Sequence, residues 1–354
     1  MNHLSTFQAR LKKREVDAAL ITNETSIFYI CGYRFSDGFL LITQKEGFLV
    51  TDFRYYEEAT AAVGDSFTVL MPQQSRMDFL RDAVRDNEIR TLGYENRTLS
   101  VSEFNRYSEA VSVEWTPIGD ILTELCAVKD EEEIAKIKAA QAITDKAFSH
   151  ILSVMTPQMT EKEVALELEF FMRKQGAESV SFQIIAVSGT ASALPHGLSR
   201  NQKLSRGFLT MDFGCTVDGY CSDMTRTVAL GKATEEMRRV YNTVLEAQLA
   251  ALSQIRPGKT GAELDRIARD IIDGAGYEGA FGHSLGHGVG LYIHEAPSVS
   301  RMSQSPLVKG NVITVEPGIY LMGRFGCRIE DMGALTDDGF DNFTASSKEL
   351  IELF

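Results

Sequence analysis

Short apolar runs alternate with amphipathic stretches through the first third of the chain. Residues 4–14 read as a helix with one polar face, and 17–22 as a short buried strand. Apolar runs at 38–43 and 47–51 flank Gln44, Lys45 and Glu46, which is a hairpin signal. Residues 54–63 and 76–86 have helical periodicity, while 66–71, 91–94 and 111–115 read as strands. The alternation predicts an α/β domain over residues 1–124, with helices on the faces of a sheet. It holds no paired histidines and no glycine-rich phosphate loop, so a scaffolding or dimerisation role is expected. Residues 120–128 read as the link to a second domain, 125–354.

The second domain opens with a helical stripe over 131–155, formed by Ile134, Ile137, Ala140, Ile143, Ala147 and Ile151. A repeat follows. Pro157, Thr160, Glu163, Gly176 and Glu178 recur as Pro257, Thr260, Glu263, Gly276 and Glu278, each 100 residues on. Both copies begin with a Thr-x-x-Glu capping box, in which the hydroxyl accepts from the helix start and the carboxylate reaches back. Both end at a glycine suited to the left-handed cap. Each is preceded by another helix (131–155 and 235–254) and followed by a strand-rich stretch bearing two carboxylates.

Those carboxylates are the candidate chemistry. Asp212 and Asp223 are symmetric about residues 217–218, beside a turn signal at Asp218-Gly219, and Glu316 and Glu330 are symmetric about Gly323. A hairpin at either centre would set its two acids side by side, about 5 Å apart across the strands. Alone, an Asp before Phe-Gly or a Glu before Pro-Gly is ordinarily a turn residue. Four such acids brought to one buried centre would repel and lose hydration, at several kcal/mol per ion. Two divalent cations resolve this, with one imidazole completing the coordination. Thiolate-free ligation favours harder ions, Mn²⁺ first, with Zn²⁺ or Co²⁺ as alternatives. Such a pair clamps a shared water, lowers its pKa and polarises a carbonyl.

The chain has only six histidines, and four of the five in the second domain (His196, His283, His287 and His294) lie near these acids. Gly282, Gly286, Gly288 and Gly290 argue against a helix here and for an irregular or extended segment that approaches the site closely. Arg328 lies two residues before Glu330, on the same strand face, where it can orient a ligating carboxylate.

Composition narrows the classes. A net charge of −13 argues against nucleic acid as a partner. No apolar run reaches membrane-spanning length, and no secretory signal is evident at the start. Five cysteines (31, 126, 215, 221, 327), with no Cys-x-x-Cys, suit a reduced, cytoplasmic protein. Cys215, Cys221 and Cys327 fit small buried hydrophobes better than metal ligands.

With Met211-Asp212-Phe213-Gly214, Ser222-Asp223-Met224-Thr225, Gly282-His283 through His287, His294-Glu295, Glu316-Pro317-Gly318 and Arg328-Ile329-Glu330-Asp331, the chain resembles the pita-bread metallopeptidases. These include aminopeptidase P, prolidase, methionine aminopeptidase and creatinase. The resemblance covers the whole chain. It implies a creatinase/prolidase-like N-terminal α/β domain and an α+β pita-bread catalytic domain with an internal pseudo-two-fold repeat. By position it implies that Asp212 chelates one metal, that Asp223 and Glu330 bridge both, and that His287 and Glu316 bind the other. It further implies a general-base role for Glu316, substrate binding and oxyanion stabilisation by His283 and His294, a substrate-side place for His196, and an orienting role for Arg328. Tyr292, Cys327 and Met332 depart from common family residues, and Tyr292 and Met332 would alter pocket polarity.

The N-terminal domain argues against methionine aminopeptidase, and the complete ligand set against creatinase. The expectation is a dinuclear-metal Xaa-Pro aminopeptidase that is a homodimer without nucleic-acid or membrane partners. The alternative is an Xaa-Pro dipeptidase. A lesser alternative is a catalytically silent binding module of the same fold, and a metal-storage protein would leave the surplus histidines without a task.

Overall fold

The computed structural model describes residues 3–354, which form two compact units, one ending at Cys126 and one spanning Ala127–Phe354. The first runs α1 (His3–Lys13), β1 (Ala18–Ile21), α2 (Glu24–Cys31), β2 (Phe39–Thr43), β3 (Gly47–Val50), α3 (Tyr56–Val63), β4 (Thr68–Leu70), α4 (Arg76–Asp86), β5 (Thr91–Tyr94), α5 (Val101–Ala110), β6 (Glu114–Pro117) and α6 (Gly119–Cys126). Its six strands form one mixed sheet in the order β4-β3-β2-β1-β5-β6. Leu20, Leu41, Val50, Leu80 and Leu92 are fully shielded at its core. Within the segment 120–128, Ile121, Leu122 and Leu125 are buried in α6, and the boundary between the units follows Cys126. One expectation is corrected. The strand expected at 111–115 starts at Glu114, because Val111 still caps α5.

The second unit continues with α7 (Glu131–Val154), α8 (Glu161–Lys174), β7 (Ser179–Val180), β8 (Ile185–Ser188), β9 (Gly207–Phe213), β10 (Cys215–Val217), β11 (Tyr220–Cys221), β12 (Met224–Leu230), α9 (Glu235–Ser253) and α10 (Gly261–Ile272). After these come β13 (Gly286–Gly288), β14 (Glu295–Val299), β15 (Val312–Val315), β16 (Gly318–Leu321), β17 (Phe325–Arg328), β18 (Asp331–Leu335), β19 (Phe340–Asn342) and β20 (Glu352–Leu353). The two main sheets are β20-β12-β9-β8 and β14-β13-β15-β18-β19. No helix among the described residues is long and apolar enough to cross a membrane.

The repeat is visible in the backbone. α8 and α10 both start with the full capping box, at Thr160 with Glu163 and at Thr260 with Glu263. Gly176 and Gly276 follow with φ of 105° and 88°. Leu209, Met211 and Phe213 of β9 pack with Ala140, Val164 and Leu168 of the helix layer. Strand alternation then turns Asp212 to the opposite face. The second copy packs Val240, Val244, Leu264 and Ala268 with Ile313 and Val315, which turns Glu316 the same way by the same rule.

Strand register places the acids. In the second copy, Val315 opposes Asp331 and Gly318 opposes Arg328. Both ladders share one centre, so Glu316 and Glu330 face each other about Gly323, in the gap where the ladder lapses. In the first copy Asp212 opposes Thr225, and Val217 opposes Tyr220 across the turn. Asp218 and Gly219 have φ of 46° and 80°, as a two-residue turn of the I′ type requires. The fold centre therefore lies between residues 218 and 219, not at 217–218. Asp223 falls opposite Gly214, and Asp212 and Asp223 are diagonal rather than directly opposed.

Gly214 lets these strands close. A Cβ there would lie 1.9 Å from the Ser222 carbonyl oxygen and 3.2 Å from the Asp223 nitrogen. Gly214→Ala must push this backbone aside. The expected loss is about 1–3 kcal/mol of stability, read by urea denaturation.

Candidate metal centre

Asp212, Asp223, His287, Glu316 and Glu330 all line one cavity of about 500 Å³, together with His196, His283, His294 and Arg328. Every site residue expected from the sequence thus reaches one space. Donor atoms of Asp223, His287 and Glu330 lie within 4.8 Å of one another. His287 Nε2 is 3.5 Å from Asp223 Oδ2 and 3.4 Å from Glu316 Oε1. His287 Nδ1 lies 3.1 Å from the Gly288 carbonyl oxygen. A carbonyl only accepts, so Nδ1 carries the proton and Nε2 presents its lone pair to the acids. Burial, with His294 nearby, pushes the His287 imidazolium down to about 4. The ring is neutral at pH 7, as a metal ligand requires.

The acids carry the cost of proximity. Asp223 is raised well above the ordinary carboxylate range by burial, then by Glu330. Glu330 is raised by burial, then by Glu316, and Glu316 is pushed up to about 8 chiefly by burial. Without cations this cluster holds protons near neutral pH. One atom, Asp212 Oδ1, is buried with no hydrogen-bond partner. Its sister Oδ2 accepts from Arg328 at 2.5 Å. A buried carboxylate oxygen left bare is costly unless a further group completes it. The donor set of four carboxylates and one neutral imidazole, with an orphaned oxygen among them, fits a pair of hard or borderline divalent cations.

Hydrogen bonds fix the acids from behind. Thr225 donates its hydroxyl to Glu330 Oε2 at 2.7 Å and accepts from Arg328 Nε at 2.9 Å. Thr314 accepts from the His287 N–H at 3.1 Å and donates to Glu316 Oε1 at 3.4 Å. Arg226, fully buried, donates to the Glu330 carbonyl at 2.5 Å and to Asp331 Oδ1 at 2.8 Å. A second chain leaves Arg328 through Tyr320. The guanidinium donates to the Tyr320 hydroxyl at 2.9 Å, and that hydroxyl lies 2.9 Å from His283 Nε2. His283 Nδ1 is 2.8 Å from the Ser284 carbonyl. Nδ1 therefore bears the proton, and Tyr320 donates to Nε2.

Comparison with known proteins gives the same answer as the geometry. Residues 135–337 match the model of metallopeptidase family M24, and residues 3–128 match that of the creatinase/prolidase N-terminal domain. The chain belongs to metallopeptidase family M24. A solved structure, an Xaa-Pro dipeptidase from Bacillus anthracis, is 42% identical, with a TM-score of 0.96 over 99% of each chain. The X-Pro aminopeptidase from Thermotoga maritima is 40% identical, with a TM-score of 0.92 over 97% of this chain and 100% of that one. An Xaa-Pro dipeptidase of Pyrococcus furiosus is 36% identical over 344 residues, 96% of this chain and 97% of its own.

Several residues of this M24 site were not singled out from sequence. Strand alternation alone points to Tyr320. It lies on the same strand face as Gly318, and Gly318 opposes Arg328. Thr225, Thr314 and Arg226 carried no such signal, since a buried hydroxyl or guanidinium has no periodicity of its own. Among the departures from the family pattern, Tyr292 and Met332 do not line the cavity of this M24 chain. Tyr292 is exposed, and Met332 is buried with its sulfur 3.2 Å from the Asp223 nitrogen. Their effect on pocket polarity is therefore indirect. Cys215, Cys221 and Cys327 are buried, and burial raises each thiol, Cys327 to about 12.

Proposed function

We propose that this chain hydrolyses the peptide bond before proline in Xaa-Pro dipeptides, with two divalent ions held by Asp212, Asp223, His287, Glu316 and Glu330. The observation that carries this reading is the meeting of five donors from both copies of the repeat at one cavity, with Asp212 Oδ1 left bare. Mn²⁺ is the first candidate, with Zn²⁺ or Co²⁺ as alternatives. When bound, the two ions supply Lewis acidity, which acidifies water and polarises the scissile carbonyl.

The chain's own residues do the rest. Arg328 aims Asp212 and, through Tyr320, fixes His283 at the cavity wall. Glu316 lies between His287 and His283, with His283 Nδ1 4.0 Å from its Oε2. Cations would draw its raised carboxyl back toward the range in which it takes a proton from water and returns it to the departing proline nitrogen. Exposed His196 and His294 offer imidazole nitrogens to the substrate's polar ends. Phe182, Ile185, Pro195, Leu198 and Ile293 give the cavity an apolar wall for the proline ring. The reading includes a homodimer with no nucleic-acid or membrane partner.

The sequence reading favoured an aminopeptidase. Similarity to proteins described as Xaa-Pro dipeptidases now supports the dipeptide substrate better, while the Thermotoga maritima structure keeps the aminopeptidase as the second reading. The test compares an Xaa-Pro dipeptide with the matching Xaa-Pro-Yaa tripeptide on one Mn²⁺-loaded preparation. The dipeptide is expected to be cleaved faster by about tenfold, the worth of one charge-assisted contact to its carboxylate. The reverse order restores the aminopeptidase. No turnover of either, with two ions bound per chain, leaves a silent module.

A further inference from the structure

Behind the cavity, α10 carries Asp265 and Arg269 one helical turn apart, both buried. The guanidinium is held by the carboxylate through Nε at 2.9 Å and NH2 at 3.1 Å. It then reaches out of the helix. NH1 donates to the Phe281 carbonyl at 2.6 Å, and NH2 donates to the His283 carbonyl at 2.9 Å. The Leu285 N–H donates back to Asp265 Oδ2 at 3.1 Å. The guanidinium also lies 4.1 Å from the Phe281 ring centre, and that ring meets His283 edge-on at 5.0 Å. One ion pair thus grips residues 281, 283 and 285, alternate positions of an irregular segment that joins no strand until Gly286.

We propose that Asp265 and Arg269 are positioning residues for His283, holding its ring against Tyr320 and the acid cluster although neither lines the cavity. A buried ion pair is weak evidence of stabilisation, since an apolar pair of similar volume often serves as well. The direction of the donors is the stronger argument. Two carbonyls two residues apart, plus a carboxylate, match the planar fork of arginine, and a lysine ammonium cannot span them in that geometry.

In the other copy of the repeat a buried acid braces the two ends of the segment that carries His196. Glu161, the first residue of α8, is fully buried. It accepts from Ser188 N at 2.7 Å and Ser188 Oγ at 2.9 Å. It also accepts from Arg200 N, Nε and NH2 at 3.0, 2.8 and 2.6 Å. The segment between Ser188 and Arg200 carries Pro195 and His196. Each of the two repeated helices therefore anchors one histidine-bearing segment through a buried acid that is no part of the metal set.

The assignment rests on the proposed function only in placing His283 at the reacting centre. The experiment uses the full chain loaded with Zn²⁺, which is diamagnetic. Long-range ¹H–¹⁵N correlation of its six histidines, with His283→Gln to assign the His283 signals, reads the tautomer directly. Arg269→Lys is expected to shift the His283 signals away from the Nδ1–H pattern while those of His287 and His294 stay in place. It is expected to lower kcat about 10- to 100-fold with KM little changed, and to cause no further loss in the His283→Gln background. Unmoved His283 signals overturn the proposal, as does an equal loss in both backgrounds. If Arg269→Lys does not fold, Asp265→Asn, which keeps an oxygen for the Leu285 N–H, is read by the same two measurements. If the parent chain cleaves no Xaa-Pro substrate, the functional reading fails separately and the spectra still decide the positioning.

Discussion

Glu330→Gln lowers Xaa-Pro turnover to below about one-thousandth of the parent's, and the protein stays folded. The side chain is buried and shares its donor space with Asp223 and His287. Its backbone is tied independently, by Arg226 to its carbonyl and by its own N–H to the Thr225 carbonyl at 3.1 Å. The amide keeps the shape and an oxygen for the Thr225 hydroxyl, so the loss is confined to charge. In the cation-free cluster burial, then Glu316, raises the Glu330 carboxyl and favours its neutral form, whose shape glutamine imitates. Metal binding needs the anion instead. Removing one preorganised contact to a developing charge costs about 10²–10³ in rate, and this residue holds the ions as well. Steady-state kinetics and elemental analysis check it. A variant with two ions per chain and a tenth of the parent activity would remove Glu330 from the centre.

Chelation lowers the melting temperature, and the drop grows as pH rises from 6.5 to about 8. The sign follows from proton counts. Glu316 titrates at about 8 in the folded chain and near 4.5 unfolded. Between those values the folded state binds more protons, so stability falls as pH rises. Asp223 and Glu330 shift in the same direction. His283 and His287 are lowered from 6.5 to about 4, chiefly by burial. Their contribution therefore rises between those values and is complete above pH 6.5. Only the acids act beyond that point, and the cation-free chain weakens. Bound cations take the place of the protons and remove this slope. At a free metal concentration a thousand times Kd, binding is worth about 4 kcal/mol. For a domain of this size that is about 8–16 °C. Scanning fluorimetry at pH 6.5 and 8, with and without EDTA, measures the difference. A drop that is constant or shrinks with pH would contradict the cluster's electrostatics.

Much of the site was legible because its acids sit on strands with a simple rule of alternation. Glu316 and Glu330 could be paired from spacing alone, since the ladders on either side of them keep one common centre at Gly323. Asp212 and Asp223 could not, because the Asp218-Gly219 turn sets the centre one residue away from their midpoint. Three helices of the first unit, α2, α5 and α6, lie outside the helical periodicity read from the chain, although two of them carry caps written in it. Asn23 caps α2, and Ser100 with Glu103 forms a capping box on α5. Asp265 and Arg269 show a different limit. Their spacing reveals an ion pair on a helix, but the carbonyls they meet belong to a segment that only the tertiary fold brings near.

The tip of the β16–β17 hairpin, at Met322 and Gly323, projects into solvent, with Met322 93% exposed. Beneath it, two ladders keep a common pairing on either side of the Glu316–Glu330 gap. Residues added at the tip would lengthen only the connection, because the strands below are locked by their own partners. A dye or surface tether attached there would leave the catalytic floor undisturbed.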